Sequence, residues 1–341
     1  METRWIWGVL SALAIAACGD GESESQPGLR KELESSGVSI SQLFQTPDDA
    51  ELEAIRADWM SRDLSVRNVI EEMRSRRANG DTVVVLSHEL EAGVRYGAIV
   101  IPENASESMP VVVNSIGFGP PYQLDLTPAR SAFGGGFITV LPGFRGHTLI
   151  LDDQTWRSDG PRFDQCDGGT DDMLTFLRVA LEHEPAADRE RIYAFGGSRG
   201  GNVSMLASAR EPSIRGVVSL AGPTSYVVED YLEHPNLSNL YARWFVRELL
   251  EDPSQVESAR VEMVACSPLF FIESLPALQL HHGESDRSVP VENTEAFEEA
   301  WGRERPGEVL EVFYYPDEGH SFAGSLDTVS DRAERFLTDT Q

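Results

Sequence analysis

Short β-rich apolar runs alternate along most of the chain with segments whose apolar residues recur at helical spacing. Residues 82–86 and 94–101 predict an antiparallel pair of strands, because only a short segment containing Gly93 separates them. Further strands are predicted at 111–113, 137–141, 191–195, 216–220, 277–281 and 309–314, and helices at 170–182, 202–209, 293–301 and 327–337. Such alternation favours an α/β fold, with a mostly parallel sheet and helices on both faces.

Two segments depart from this alternation. Residues 48–80 precede the sheet and carry apolar residues at helical spacing, which predicts an N-terminal helical segment with Leu52, Ile55, Trp59, Val66, Val69, Ile70 and Met73 as its apolar positions. Residues 223–268 interrupt the sheet pattern and contain a predicted helix at 237–250. We interpret them as a small helical cap over the site, inserted into a catalytic domain at 81–341.

The first residues have the pattern of an export signal. Arg4 precedes an apolar stretch at 5–17 that is too short to span a bilayer comfortably, so residues 1–17 are expected to be a signal peptide. The small residues before Cys18 resemble a bacterial lipobox, which implies cleavage before Cys18 and lipidation of that cysteine. An ordinary secretory peptide with an incidental cysteine is the alternative. Residues 18–47 are rich in Gly, Ser and Glu at their start, so they are expected to form a flexible tether.

These features predict an exported protein. It is expected in the bacterial cell envelope, held to a membrane only through an N-terminal lipid, or free in the periplasm or medium. The formal net charge of −28 makes nucleic acid an unfavourable partner. The acidic residues are spread along the chain, which indicates a solubility surface, with attraction of cationic substrates as the alternative. Cys166 and Cys266 are free to form one disulfide in an oxidising compartment.

The strand predicted at 191–195 leads directly into Gly196–Gly197–Ser198–Arg199–Gly200, and a helix follows. This is the pattern G-x-S-x-G in a strand–turn–helix context, which typically exposes a nucleophilic serine on a strained turn. Glycines at 196 and 200 avoid clashes within so tight a turn. Ser198 is therefore the candidate nucleophile, and a glycine-rich turn with a solvated serine is the alternative.

A serine hydroxyl needs a base, and the base needs a carboxylate to orient it. Asp286 follows the strand predicted at 277–281, and His320 follows the strand at 309–314, so both loops leave the same sheet edge as Ser198. Asp286 is preferred to the nearby carboxylates because of its place in the turn; those carboxylates are Glu284, Asp317 and Glu318.

Two adjacent histidines, His281 and His282, end the strand before Asp286. They are expected to have a packing or rim role. A metal cluster with Glu284 is disfavoured, because neighbouring residues on a strand point to opposite faces.

The tetrahedral intermediate also needs hydrogen-bond donors. One expected donor is the backbone N–H of Arg199, and the second is expected at Ser115 or Ile116, in the loop after the strand at 111–113. The side chains of Arg145 and Arg199 are expected near the site. Each is expected either to bind a substrate carboxylate or to form a structural ion pair.

From about residue 82 to 335 the chain resembles an α/β hydrolase close to the catalytic domain of the prolyl oligopeptidase (S9) family. The segments that carry the resemblance are Phe144–Arg145–Gly146, Asp171–Asp172, Arg189–Gly201, Ser267–Pro268, His282–Pro290 and Gly319–His320. Asn114–Ser115–Ile116–Gly117 replaces the usual His-Gly-Gly or Tyr-Gly type oxyanion loop. With about 80 residues ahead of the first predicted strand, the propeller of the family's peptidases is not expected.

The resemblance implies a serine hydrolase that cleaves an ester or a peptide bond through an acyl-enzyme, with no metal or organic cofactor. An S9-like peptidase is the first expectation, a carboxylesterase or dienelactone-type hydrolase is the alternative, and a non-catalytic binding lipoprotein is the second alternative. The expected partner is a small ester or a short peptide.

Overall fold

A computed structural model of the chain describes residues 28–117, 122–161, 164, 166–234 and 242–340. The predicted signal peptide and the candidate lipidation site Cys18 lie outside these residues. In the part of the chain that is described, no helix is both long enough and apolar enough to span a membrane.

Nine strands form the central sheet: β1 (Arg67–Arg76), β2 (Thr82–Leu90), β3 (Gly93–Ile101), β4 (Met109–Ser115), β6 (Ile138–Pro142), β9 (Ala187–Gly197), β10 (Ile214–Leu220), β11 (Ala277–Gly283) and β12 (Leu310–Tyr315). Their spatial order is β1-β2-β3-β6-β4-β9-β10-β11-β12. The first three pair antiparallel and join β6 antiparallel, whereas the other neighbours pair parallel. A separate small sheet contains β5 (Gln123–Asp125), β7 (Thr148–Leu151) and β8 (Gln154–Arg157).

Eight α-helices are described: α1 (Leu29–Ser35), α2 (Ile40–Phe44), α3 (Asp49–Ser61), α4 (Asp167–His183), α5 (Arg199–Arg210), α6 (Val256–Ala265), α7 (Glu292–Glu304) and α8 (Leu326–Asp339). The central strand β4 is buried on both faces. Val111 and Val113 pack in the cluster that includes α4 and α5, while Val112 packs in the cluster that includes α8. The predicted mostly parallel sheet with helices on both faces is confirmed, and the predicted antiparallel pair is β2 and β3.

The helical prediction for residues 48–80 is wrong in its second half. Helix α3 ends at Ser61, and β1 follows as an edge strand that pairs with β2. Val69 and Ile70 are exposed on that strand, so their helical spacing does not reflect a buried stripe. The backbone hydrogen bonds available along β2 override a weak helical pattern at this position.

The structure also differs from the tether expected at 18–47, because residues 28–47 contain α1 and α2. Leu29 and Leu33, one helical turn apart, are buried with Leu43 in a second apolar cluster. That cluster includes Phe245 and Leu249 from the segment between β10 and β11. The low average apolar content of this segment predicts a tether, but Leu29 and Leu33 have the spacing that buries both on one side of a helix.

The segment between β10 and β11 holds α6 and several short turns of 3₁₀ and π helix, and we refer to it as the cap. The helix predicted at 237–250 is not an α-helix where it is described. Its residues form a π turn at Ala242–Val246 and a 3₁₀ turn at Glu248–Leu250. Cys266 follows α6 and forms a disulfide with Cys166 at the start of α4, with the two Cα atoms 5.6 Å apart.

Candidate active site

Ser198 lies on a sharp turn between the end of β9 at Gly197 and the start of α5 at Arg199. Its backbone has φ 55° and ψ −130°, a conformation that costs a non-glycine residue about 1–3 kcal/mol. The turn is held by two hydrogen bonds: the Ser198 N–H donates to the carbonyl of Leu220 at 2.8 Å, and the Gly201 N–H donates to the carbonyl of Ser198 at 3.0 Å. The surrounding structure therefore holds Ser198 in a strained conformation at the carboxyl edge of the sheet.

The flanking glycines are required by close backbone contacts. A Cβ atom on Gly196 would lie 2.4 Å from the backbone of Gly200. A Cβ atom on Gly200 would lie 2.0 Å from the carbonyl oxygen of Ser115, so the helix start packs directly against the end of β4. Side chains at either position would push the turn and the β4 loop apart.

The structure brings Asp286 and His320 together across two neighbouring loops. The Nδ1 atom of His320 lies 2.6 Å from Oδ2 of Asp286. The other carboxylate oxygen, Oδ1, accepts hydrogen bonds from the backbone N–H groups of Ser288 at 2.7 Å and Val289 at 3.0 Å. The carboxylate is thus fixed by its own turn and faces the imidazole.

The charge state of Asp286 follows from these contacts. Burial alone would raise the pKa of its carboxyl group, but the contacts from His282 and His320, the charge of His320 and the Val289 N–H lower it well below its usual range. The carboxylate is therefore ionised at neutral pH, and it accepts a hydrogen bond from the N–H group at Nδ1 of His320. In the neutral ring, Nε2 is then the nitrogen that is able to accept a proton.

Ser198 lies at the same sheet edge as these two loops. Among the described residues, however, no hydrogen bond joins Ser198 Oγ to His320, whose side-chain hydrogen bond is with Asp286. Two of the three predicted residues are therefore in direct contact, and the third lies at the same sheet edge without that hydrogen bond.

The predicted oxyanion donors surround Ser198. Arg199 occupies the first position of α5, where backbone N–H groups form the positive end of the helix dipole. Ser115 pairs with Gly196 at the end of β4, and Ile116 follows it. A Cβ atom on Gly117 would lie 3.5 Å from the Cβ of Ser198, so the β4 loop passes alongside the serine.

The side chain of Arg145 forms structural ion pairs. It donates to Asp172 through Nε and Nη2, each at 3.0 Å, to Asp164 at 3.1 Å, and to the carbonyl of Gly168 at 2.7 Å. Burial would lower the pKa of Arg145, but the charges of Asp172 and Asp164 raise it above its ordinary value. The N–H donors of the Arg145 guanidinium bond to these carboxylates, so they are not directed at a substrate carboxylate.

Arg199 is equally enclosed. Its guanidinium is 4.3 Å from the ring centre of Phe144 and donates to the carbonyl of Asp164 at 3.0 Å. Burial lowers the pKa of Arg199 to about 10, which still leaves it charged at neutral pH. The side chain joins the nucleophile helix to the loop before α4.

The two histidines at the end of β11 have separate surroundings. His281 contacts the hydroxyl of Tyr315 at 2.8 Å and Oε1 of Gln279 at 2.9 Å, a packing role as expected. His282 lies on the other face, with Nε2 3.5 Å from Oδ2 of Asp286, a contact that the sequence analysis missed. The sequence feature that indicates this contact is the alternation of side chains along β11, which directs one of the two histidines toward the loop that carries Asp286. Within the residues described, no group of His, Cys, Asp and Glu side chains is placed to hold a metal ion.

Taken together, a strained serine after a parallel strand and an Asp–His pair with a buried carboxylate at the same edge define an α/β-hydrolase fold with the site of a serine hydrolase. The sequence model of the prolyl oligopeptidase family matches residues 127–338, more than half of the chain. The chain belongs to this family and is a serine hydrolase of ester or peptide bonds.

Solved structures agree on the fold. An acetyl xylan esterase from a Paenibacillus species superposes with a TM-score of 0.57 at 15% identity, over 89% of this chain and 99% of that one. Acetyl xylan esterase 1 from a Thermoanaerobacterium species gives 0.55 at 17% identity, over 92% and 98%. An acylaminoacyl peptidase from Pyrococcus horikoshii gives 0.53 at 17% identity, over 78% of this chain and 48% of that one. No curated protein matches the sequence significantly.

Proposed function

We propose that the protein hydrolyses small acyl esters, with Ser198 as nucleophile, His320 as general base and Asp286 as the residue that orients it. The observation that carries this proposal is the contact of 2.6 Å between His320 Nδ1 and the ionised Asp286, at the sheet edge where the strained Ser198 lies. A base with its Nδ1 proton fixed in this way is able to accept the proton of the serine hydroxyl at Nε2.

The reaction proceeds in two halves. Ser198 Oγ attacks the ester carbonyl carbon while its proton passes to Nε2 of His320, and Asp286 stabilises the resulting imidazolium. The tetrahedral intermediate collapses, the bond from carbon to the leaving oxygen breaks, and His320 protonates the departing alcohol. Water then attacks the acyl-enzyme with the same base, which releases the acid and restores the serine hydroxyl.

The oxyanion of each intermediate would be held by the backbone N–H of Arg199 and by a second N–H at Ser115 or Ile116. In the proposed mechanism, the hydrogen bond between Ser198 Oγ and Nε2 of His320 has to form when substrate binds. Hydrogen bonds of this kind are often long or absent without substrate and tighten in the complex.

Ester substrates are favoured over peptides by the extent of the structural matches. The two acetyl xylan esterases correspond to this chain over almost their whole length, whereas the acylaminoacyl peptidase corresponds over less than half of its own. Membership of the prolyl oligopeptidase family supports short peptides as the second candidate substrate.

A panel of chromogenic substrates tests this choice. p-Nitrophenyl acetate and butyrate would be assayed beside dipeptide and prolyl p-nitroanilides, with the wild type and Ser198→Ala. We expect the esters to be cleaved and the amides not, with kcat/KM for the esters falling by about 10⁴-fold or more in Ser198→Ala. Cleavage of amides alone would reject the ester proposal, and equal ester turnover by Ser198→Ala would reject Ser198 as nucleophile.

We also propose that the protein is exported and held in the cell envelope by a lipid on Cys18. The apolar stretch at 5–17 and the Cys166–Cys266 disulfide support export, because disulfides persist in oxidising compartments. In the native bacterial host, we expect labelled palmitate to enter the wild-type protein, and Cys18→Ala to lose both the label and the membrane association. A Cys18→Ala protein that still carries the label would contradict this proposal.

A further inference from the structure

His282 is a fully buried histidine that lies beside the acid of the site. Its side chain has an exposed fraction of zero, and its ring contacts three oxygen atoms. Nδ1 lies 2.6 Å from Oγ1 of Thr294, and Nε2 lies 2.9 Å from the carbonyl oxygen of Val289. The same Nε2 is 3.5 Å from Oδ2 of Asp286.

These partners fix which nitrogen carries the hydrogen. A carbonyl oxygen only accepts hydrogen bonds, so Nε2 of His282 must donate to Val289. In the neutral ring, Nδ1 then accepts a hydrogen bond from the Thr294 hydroxyl. The N–H of Nε2 therefore faces both the Val289 carbonyl and the carboxylate of Asp286.

The contact with Val289 connects His282 to the turn that carries Asp286, residues 286–289. The N–H of Val289 donates to Oδ1 of Asp286, while its carbonyl accepts from His282. His282 thus contacts the carbonyl of the residue whose N–H holds Oδ1, and its Nε2 also lies near Oδ2, the oxygen that contacts His320. The ring therefore contacts Oδ2 directly and, through Val289, one of the two residues that hold Oδ1.

The opposite side of the ring is held by the start of α7. Thr294, which bonds Nδ1, follows Asn293, whose Oδ1 accepts the N–H of Ser225 at 3.1 Å and the hydroxyl of Thr224 at 2.9 Å. Thr224 and Ser225 belong to the first residues of the cap. The ring therefore lies between the turn that carries Asp286 and the start of α7, which is hydrogen-bonded to the cap.

We propose that His282 is a positioning residue, which orients the Asp286 carboxylate so that Oδ2 meets Nδ1 of His320. This inference rests on the proposed function, because it takes His320 as the base. In the proposed mechanism, His282 contacts neither the substrate nor Ser198. Its effect on the reaction passes through Asp286, so its loss should lower turnover more than substrate binding.

His281 offers a matched control on the same strand. It is also buried and also uses both ring nitrogens, but it contacts Tyr315 and Gln279 on the other face of the sheet. Asparagine at either position keeps a polar atom near Nδ1 and removes the group at Nε2. Glutamine at 282 places an N–H near the former Nε2, so His282→Gln is the conservative replacement.

The experiment compares His282→Asn, His282→Gln and His281→Asn with the wild type, using p-nitrophenyl acetate. We expect kcat of His282→Asn to fall about 10- to 100-fold with KM changed less than about 3-fold, since small misplacements of catalytic groups have costs of this size. His282→Gln should recover most of the loss, and His281→Asn should keep kcat within about 3-fold. Equal losses in His282→Asn and His281→Asn, or unchanged kcat in His282→Asn, would overturn the proposal.

A second readout does not depend on turnover. Proton NMR of the deshielded Nδ1 hydrogen shared by His320 and Asp286 should show a shift or broadening in His282→Asn and none in His281→Asn. If the wild type cleaves no ester, the proposed function fails while this resonance still reports on positioning. If His282→Asn does not fold, Thr294→Val removes the bond to Nδ1 and should shift the same resonance; an unmoved resonance would reject the positioning role.

Discussion

Gly200 packs so closely against the β4 loop that a single added methyl group should disrupt the site. In Gly200→Ala, the new Cβ would lie 2.0 Å from the carbonyl oxygen of Ser115 and 2.9 Å from the carbonyl carbon of Ile116. Real Cβ atoms essentially never approach closer than 3.0 Å, so the loop or the helix start must move by about 1 Å. The nearest atoms are all backbone, so no side-chain rotation relieves the clash.

The displaced segments carry the proposed oxyanion donors, the N–H groups of Ser115 or Ile116 and of Arg199. A misplacement of about 1 Å at a catalytic site costs about 100-fold in rate. Overpacking of this kind also destabilises a fold by about 1–3 kcal/mol. We therefore expect kcat/KM of Gly200→Ala for p-nitrophenyl acetate to fall about 100-fold, with a lower Tm.

Gly302→Ala is the matched control. Gly302 lies within α7, and no heavy atom of the described chain outside its own neighbourhood lies within 4 Å of the added Cβ. Alanine is favoured over glycine in a helix by about 0.8–1.0 kcal/mol, so this variant should keep its activity and gain stability. Wild-type activity and Tm in Gly200→Ala would refute the close contact between the helix start and the β4 loop.

Three further outcomes concern stability. Asp172→Asn leaves the guanidinium groups of Arg95 and Arg145 without their shared carboxylate, at buried contacts of 3.0 Å, and should cost about 3–5 kcal/mol in urea unfolding. Asp152→Asn, which breaks a more exposed pair with Arg77, should cost no more than about 1 kcal/mol; equal costs would contradict the assignment. The double variant Cys166→Ser/Cys266→Ser opens a loop with a sequence separation of 100 and should lose about 2–5 kcal/mol, and reductant should lower the Tm of the wild type only. Burial lowers the pKa of His281 to about 3, so between that pH and about 6.5 the unfolded chain binds more protons than the folded one. The Tm of the wild type should therefore fall as pH drops below about 6.5, with a smaller slope in His281→Gln, and an equal slope in the variant would exclude this histidine as a source.

Much of the site could be anticipated because each candidate residue follows a strand with a recognisable pattern. Ser198, Asp286 and His320 each come after a run of apolar residues, and parallel strands bring their carboxyl ends to one edge. The pattern places the loops, but it does not give distances. The contact of Asp286 with His320 and the missing bond to Ser198 depend on loop conformations that no local pattern encodes.

Other features depend on contacts between residues far apart in the chain. The sequence allows either a substrate contact or an ion pair for Arg145, because its partner Asp164 lies in a loop that has no distinguishing pattern. Val69 and Ile70 have helical spacing, yet they lie on an exposed edge strand because β2 offers it a hydrogen-bonding partner. The sequence around the buried Leu29 and Leu33 predicts a tether, because so short a helix is stable only when other residues of its apolar cluster cover it.

In the proposed mechanism, an imidazole that Asp286 holds in place makes the hydroxyl of Ser198 nucleophilic. The most direct measurement is the reaction of the intact protein with a fluorophosphonate, followed by mass spectrometry of the peptides. We predict one adduct per chain, located on Ser198, with labelling at least about 100-fold slower in His320→Ala. An adduct on another residue, or equal labelling of His320→Ala, would contradict it.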